Sequence, residues 1–205
     1  MMKRWLNTIA IAVFLIVPSA EAGKYNTTVD IGDKAAAWTD LQGTEGEQHS
    51  LQSVADAKAV VVAFTCNSCP YAVDVEDRLN TFTKQYADKG VAVVAINVNT
   101  IEADKMPAMK QRDKEKGFVY PYLWDPSQET AKAYGAKYTP QFFVLDQDRK
   151  IVYMGSFDDS PDGKNVTETY VADAVDAVLS GEKVETSETV PIGCRIRFER
   201  QRRGR

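Results

Sequence analysis

Two stretches of this chain are apolar without a break: Ala-Val-Val-Val-Ala-Phe at residues 59–64 and Val-Ala-Val-Val-Ala-Ile at residues 91–96. A strand with one wet face alternates apolar and polar side chains, so runs like these read as strands buried on both faces. Between them Tyr71, Val75, Leu79, Phe82 and Tyr86 recur at spacings of four, four, three and four, one apolar stripe of a helix that Gly90 is placed to stop. Two doubly buried strands joined by a helix make a parallel unit that needs cover on both faces.

The rest of the middle follows suit. Residues 103–116 are charged and helix-favouring, with Met106 and Met109 on one side and Gly117 as the stop. Residues 120–123 are strand-like, and Asp125-Pro126-Ser127 is a turn suited to cap a helix ending at Tyr134 and Gly135. Residues 141–145 form a third strong strand, residues 146–149 a polar turn, and residues 150–154 a returning strand. Tyr170, Val171, Ala174, Val175 and Val178 mark a last helix. The pattern predicts an α/β fold with a central mixed β-sheet and helices on both faces. At 44% apolar and 26% charged the chain is ordinary for a globular domain, and a net charge of −4 gives its main body no footprint for nucleic acid.

The two ends read differently. Lys3 and Arg4 precede nine unbroken apolar residues at 9–17, then Pro18 and the small-x-small pattern Ala20-Glu21-Ala22. This is the pattern of a secretory signal cleaved after Ala22, too short to span a bilayer, and it predicts a secreted or periplasmic chain with no transmembrane segment once mature. Residues 28–180 make the domain. Residues 181–205 read as a polar linker and a tail with six arginines from Arg195 onward, carrying Cys194. That tail fits either a solvated, frayed end or an anion-binding one.

The chemistry is expected at Phe64-Thr65-Cys66-Asn67-Ser68-Cys69-Pro70-Tyr71, between the first core strand and its helix. A cysteine pair two residues apart can close a small disulfide. Backbone N–H groups at a helix mouth stabilise a thiolate there, which makes Cys66 the expected nucleophile and Cys69 its resolving partner. A permanent disulfide, or two inert buried thiols, is the structural alternative. A haem site would need histidine where Pro70 stands. Cys66, Cys69, Cys194 and His49 are all the cysteines and histidines in the chain, yet their spacing matches no zinc pattern, so no metal or cofactor is expected. His49 reads as an exposed loop residue. Asp74, Glu76 and Asp77 read as the solvated face of the first helix, and Trp38, Trp124, Phe142 and Phe143 as core or its rim. The sequons at Asn26 and Asn165 are short enough to recur by chance. Thr139-Pro140 precedes the third strand, where a proline does not break the ladder. Cys194 can serve as a tail-borne relay, form an intermolecular disulfide, or be inert.

These elements resemble the thioredoxin-like superfamily. A strand, Cys-x-x-Cys opening a helix, a parallel strand, then Thr-Pro before an antiparallel hairpin and a last helix is that layout. Gly32-Asp33-Lys34-Ala35 with Leu41 and Leu51, Ala131-x-Ala-Tyr-Gly-Ala136 and the ending Pro191-Ile192-Gly193-Cys194 are similar to the secreted redoxin (AhpC/TSA-type) branch, over residues 28–198. The resemblance implies a thiol-disulfide oxidoreductase with Cys66 as nucleophile, Cys69 as resolving thiol and a cis Pro140. Thr139 would pair with the substrate backbone. Its partners would be protein or small-molecule thiols and disulfides, with a membrane electron donor if the role is reductive. A thiol peroxidase and a non-enzymatic binding module on the same fold are the alternatives. The sequence departs from thioredoxin in carrying Asn-Ser between its cysteines and no carboxylate from 59 to 65.

Overall fold

The computed structural model describes residues 23–199. Its strands and helices are β1 (Leu41–Gly43), β2 (Gln48–His49), β3 (Ala59–Thr65), α1 (Pro70–Tyr86), β4 (Val91–Asn97), α2 (Met106–Lys116), β5 (Tyr122–Trp124), α3 (Glu129–Tyr134), β6 (Tyr138–Thr139), β7 (Gln141–Leu145), β8 (Ile151–Gly155), α4 (Tyr170–Ser180) and β9 (Cys194–Arg195). Seven strands form one mixed sheet in the order β2-β1-β5-β4-β3-β7-β8, and β6 pairs with β9 apart from it. β3 runs parallel to β4, and β4 to β5, while β7 lies antiparallel to β3 and β8 to β7.

The unbroken apolar run of β3 is explained by its place at the centre. Ala59, Val61 and Ala63 face one side, packing with Val75 and Leu79 of α1, Met109 of α2 and Val171 and Val175 of α4. Val60, Val62 and Phe64 face the other, against Trp38, Ala131 and Tyr134 of α3, and Phe143. Each face of the sheet is therefore roofed, and each full burial of a Val, Leu or Phe side chain contributes ~1.5–3 kcal/mol. The parallel order leaves the carboxyl end of β3, the amino end of α1 and the loop after β4 together at one edge of the sheet, where such folds gather their functional loops.

Several local expectations are corrected. Tyr71 does not join the apolar stripe of α1 but is 41% exposed, because it lies in the first turn, beyond the sheet. α2 starts at Met106 rather than Ala103, since Pro107 falls in its first turn and a separate 3-10 turn at Glu102–Asp104 precedes it. His49 lies half-buried on β2, not in a loop. The segment read as a linker is docked: Met154 N–H donates to Ser187 O, Thr189 N–H to Met154 O, and Val184 and Ile196 are buried. Hydrogen bonds to β8 and two apolar anchors outweigh its polar composition. The signal pattern and the last six residues lie outside the described residues.

Glu76 is the correction with a consequence. Its carboxylate is buried on α1 and takes two hydrogen bonds from Arg112 of α2, Nε to Oε1 at 2.9 Å and Nη2 to Oε2 at 2.7 Å. This fork fastens the cysteine-bearing helix to its neighbour. Arg112→Ala leaves the carboxylate buried with only Lys116 3.8 Å away. We expect it to lower unfolding free energy by about 2 kcal/mol, below the full cost of breaking a deeply buried pair because Arg112 is partly exposed. Urea unfolding would measure this, and an unchanged midpoint would contradict it.

Candidate active site

Cys66 and Cys69 flank the end of β3 and the start of α1, and each is only 1–2% exposed. They pack together with Ala72, and Cys194 covers them from outside. The helix begins at Pro70, after both cysteines, and does not hold Cys66 at its mouth as expected. Cys69 is its N-cap residue, in extended conformation, and Pro70 opens the first turn. Cys66 thus sits in the loop before the helix, and the helix mouth belongs to Cys69.

Both sulfurs meet one residue of β6, the short strand just before β7. Cys66 Sγ lies 3.3 Å from Thr139 Oγ1, and Cys69 Sγ lies 2.8 Å from the Thr139 carbonyl oxygen. The Thr139–Pro140 peptide is cis. The structure therefore brings together four of the residues singled out from the sequence: Cys66, Cys69, Thr139 and Pro140. It also brings in Cys194, because β9 pairs antiparallel with β6, setting Cys194 opposite Thr139 and Arg195 opposite Tyr138. A cleft of about 410 Å³ opens beside the sulfurs, lined by Ser68, Asn99, Ile101, Cys194, Arg195 and Arg197 among others. His49 is not part of this group. It lies on the far edge strand beside Glu45 and Glu47, so the sequence's four-ligand Cys/His set does not assemble.

The two residues between the cysteines are pinned. Asn67 Nδ2 donates to Ala103 O at 2.8 Å, and its Oδ1 accepts from the buried Tyr122 hydroxyl at 3.0 Å. Ser68 is held by Asp104, which accepts the Ser68 N–H at 2.9 Å and the Ser68 hydroxyl at 2.6 Å. Asp104 is fully buried. Asn99 Nδ2 donates to the same carboxylate, and Asn97 Nδ2 to the Asp104 carbonyl. A buried carboxylate survives only with such donors around it. The Ser68 hydroxyl spends its proton on Asp104, so toward Cys66 Sγ, 3.7 Å away, it offers a lone pair.

The two thiols shift one another's protonation in opposite senses. The hydrogen bond from Cys66 brings the Cys69 thiol down to about 5, against its burial, with Cys194 and the Ala72 N–H adding to the effect. The same contact and burial push Cys66 up, and the Asp104 charge adds to that rise. Placed on Cys69, the proton faces the Thr139 carbonyl; placed on Cys66, it faces the Cys69 sulfur. Burial, then the Cys69 contact, pushes Cys194 up to about 11.

The Redoxin family model matches residues 30–172. The chain belongs to the Redoxin family. Its sheet order and flanking helices are those of the thioredoxin-like fold. Two solved structures resemble it over most of their length. A hypothetical protein from Sinorhizobium meliloti is 40% identical, with a TM-score of 0.79 over 85% of this chain and 97% of that one. An uncharacterized conserved protein from Geobacillus kaustophilus is 35% identical, with a TM-score of 0.78 over 90% and 98%. Among curated relatives, the thiol-disulfide oxidoreductase ResA of Bacillus anthracis is 26% identical over 114 residues, which take in 56% of this chain and 61% of ResA.

Within this Redoxin domain, sequence reasoning missed Asp104. The stretch around it reads as helix, and β3 itself carries no carboxylate. The signal that could have found it is Pro107, which fixes the helix start downstream and leaves Asp104 in the loop after β4, at the carboxyl end of the parallel strands. The reduced chain should ionise one thiol with a midpoint of about 5, seen as thiolate absorbance rising as the pH goes up through that value. Cys66→Ala should move the midpoint upward by removing the donor. In a chain whose only thiol is Cys66, Asp104→Asn should speed alkylation about tenfold below the midpoint, because a like charge no longer opposes the thiolate. An unshifted pH profile would show that the carboxylate exerts no field on the sulfur.

Proposed function

We propose that this chain is a thiol-disulfide oxidoreductase that works through the Cys66–Cys69 pair with no bound cofactor. One observation carries the reading: two cysteines packed together, both sulfurs held by Thr139 ahead of Pro140, at the start of α1. A structural thiol pair has no need of polar groups aimed at it. The family membership and the likeness to ResA support the same assignment.

The exchange runs as follows. Cys66 attacks a substrate disulfide while its proton passes to the Cys69 sulfur, and the substrate's first thiolate leaves. Cys69 then gives up that proton and attacks the Cys66 sulfur of the mixed disulfide, releasing the second thiolate. Two electrons pass from the dithiol to the substrate, and the reverse sequence oxidises a dithiol substrate. The anion-favouring site at Cys69 does two jobs. It is the base for the first step and the nucleophile of the second. Thr139 Oγ1 is the donor available to Cys66 as charge develops there. The partners are thiols and disulfides, and the pattern of residues 1–22 supports work outside the cytoplasm, with a membrane electron donor where the direction is reductive.

Cys69→Ser should trap a mixed disulfide on Cys66, identified by mass spectrometry of the non-reduced adduct. Cys66→Ser should lose exchange with a protein disulfide by at least about a thousandfold, the scale on which removing a covalent nucleophile acts. Full disulfide exchange in Cys66→Ser would overturn the proposal. Fast consumption of hydrogen peroxide with no disulfide exchange would replace it with a peroxidase.

A further inference from the structure

The edge of β6 is already occupied. β9 lies antiparallel to it, with Cys194 opposite Thr139 and the Ile196 N–H donating to Lys137 O at 2.9 Å. On the functional reading above, this is the edge along which the backbone of a substrate strand would pair. The fit is close. A methyl group at Gly193 would come 2.3 Å from the Thr139 carbonyl oxygen and 2.7 Å from its carbon, nearer than atoms pack. The strand is fastened on both sides. Ser156 Oγ donates to Val190 O and accepts the Ile192 N–H. Beyond β9, the buried Gln128 side chain acts as a peptide unit, donating to Arg197 O at 3.1 Å and accepting the Glu199 N–H at 2.8 Å. While β9 stays in place the buried pair is covered, and the half-buried Cys194, in contact with Cys69, is the most open of the three sulfurs.

We propose that β9 is a built-in stand-in for the substrate strand and that Cys194 is a third redox sulfur, which carries the disulfide between the buried pair and small anionic thiols. The proposal rests on the oxidoreductase reading of the pair. In the oxidised chain the Cys194 thiolate attacks Cys69 Sγ. The Cys66–Cys69 bond breaks, a Cys69–Cys194 bond forms, and Cys66 takes up the proton that Cys194 gave up. No electrons enter or leave. An outside thiolate then attacks Cys194 Sγ and displaces Cys69, the sulfur whose anion its surroundings favour and therefore the better leaving group. A second outside thiolate attacks the Cys194 mixed disulfide, giving the small disulfide and free Cys194. The sum is two small thiols oxidised and one protein disulfide reduced, and it runs equally in reverse. The anionic class follows from Arg195 and Arg197, exposed on the rim of the cleft that Cys194 shares. An extended polypeptide, by contrast, must first displace β9.

The test uses the full chain. It is oxidised with one equivalent of a small disulfide bearing carboxylates, quenched with acid, alkylated and mapped by mass spectrometry. A Cys69–Cys194 linkage beside Cys66–Cys69 is expected, and its absence would overturn the proposal. Stopped-flow exchange with the same disulfide should fall about tenfold in Cys194→Ser, and a cationic disulfide should react several-fold more slowly with the unaltered chain. Gly193→Ala, which lifts β9 without touching a sulfur, should speed alkylation of Cys66 and open exchange with a cysteine-linked peptide. If Cys66→Ser abolishes exchange while Cys194→Ser and Gly193→Ala leave all these rates alone, the relay is wrong and the oxidoreductase stands. If the unaltered chain exchanges with no disulfide, both fall.

Discussion

Thr139 is the point on which the site turns. Its hydroxyl meets Cys66, its carbonyl meets Cys69, and its backbone edge meets β9. Two segments far apart in sequence, residues 66–69 and β9, are therefore referred to a single residue. That residue is rigid because of what surrounds it: Pro140 fixes the following backbone, and β7 beyond it is a fully buried strand paired on both sides. β3, which delivers Cys66, is the direct neighbour of β7 in the sheet. The position of one sulfur relative to the Thr139 oxygens is thus set by sheet hydrogen bonding rather than by loop packing, and the two-faced core secures the sheet.

Electrostatics divides the labour between the cysteines. A thiolate at the mouth of a helix gains from free N–H groups, and that mouth lies at Cys69. Asp104 works in the opposite sense on Cys66, its charge opposing a thiolate there. The field thus draws the charge toward the second cysteine and leaves the first protonated but next to a base. Cys69 is also the sulfur that touches Cys194, so the favoured anion lies at the junction of both possible disulfides. The pair is asymmetric even though both members are equally buried.

The sequence made the frame and the chemistry readable for physical reasons. Unbroken apolar runs can only be doubly buried strands or buried helix, and their length decided for strands β3, β4 and β7. The cysteine pair was legible from its place at a strand–helix junction. What stayed hidden was what depends on contacts between distant segments. Glu76 carries the spacing of a helix face, and only the position of Arg112 on another helix makes it a buried partner. Asp104 was masked by a stretch whose composition suits a helix. The docking of residues 182–199 was masked by composition as well. Glu188, Thr189 and Ser187 look like linker residues, yet Glu188 accepts the N–H groups of Lys24 and Tyr25, and Thr189 bonds the Tyr153 hydroxyl and the Ser156 N–H. Polarity says that a segment can be solvated. It does not say that its hydrogen bonds go to water.

On the proposed function, a buried thiol pair can act only if its cover permits exchange. A dithiol left open to solvent would react with any disulfide that reached it, and its potential would be set largely by water. Covering it with a strand of the same chain excludes water and strengthens every dipole aimed at the sulfurs. The cover must then either move or carry electrons itself. A plain loop would do only the first. β9 has a cysteine at the one register position that faces Thr139, and a glycine before it where any side chain would collide. A segment serving only as a lid would need neither. On the proposed relay, placing the thiol opposite Thr139 makes the cover chemically continuous with what it covers, and the site stays closed to bulk solvent while exchanging electrons through its most open sulfur.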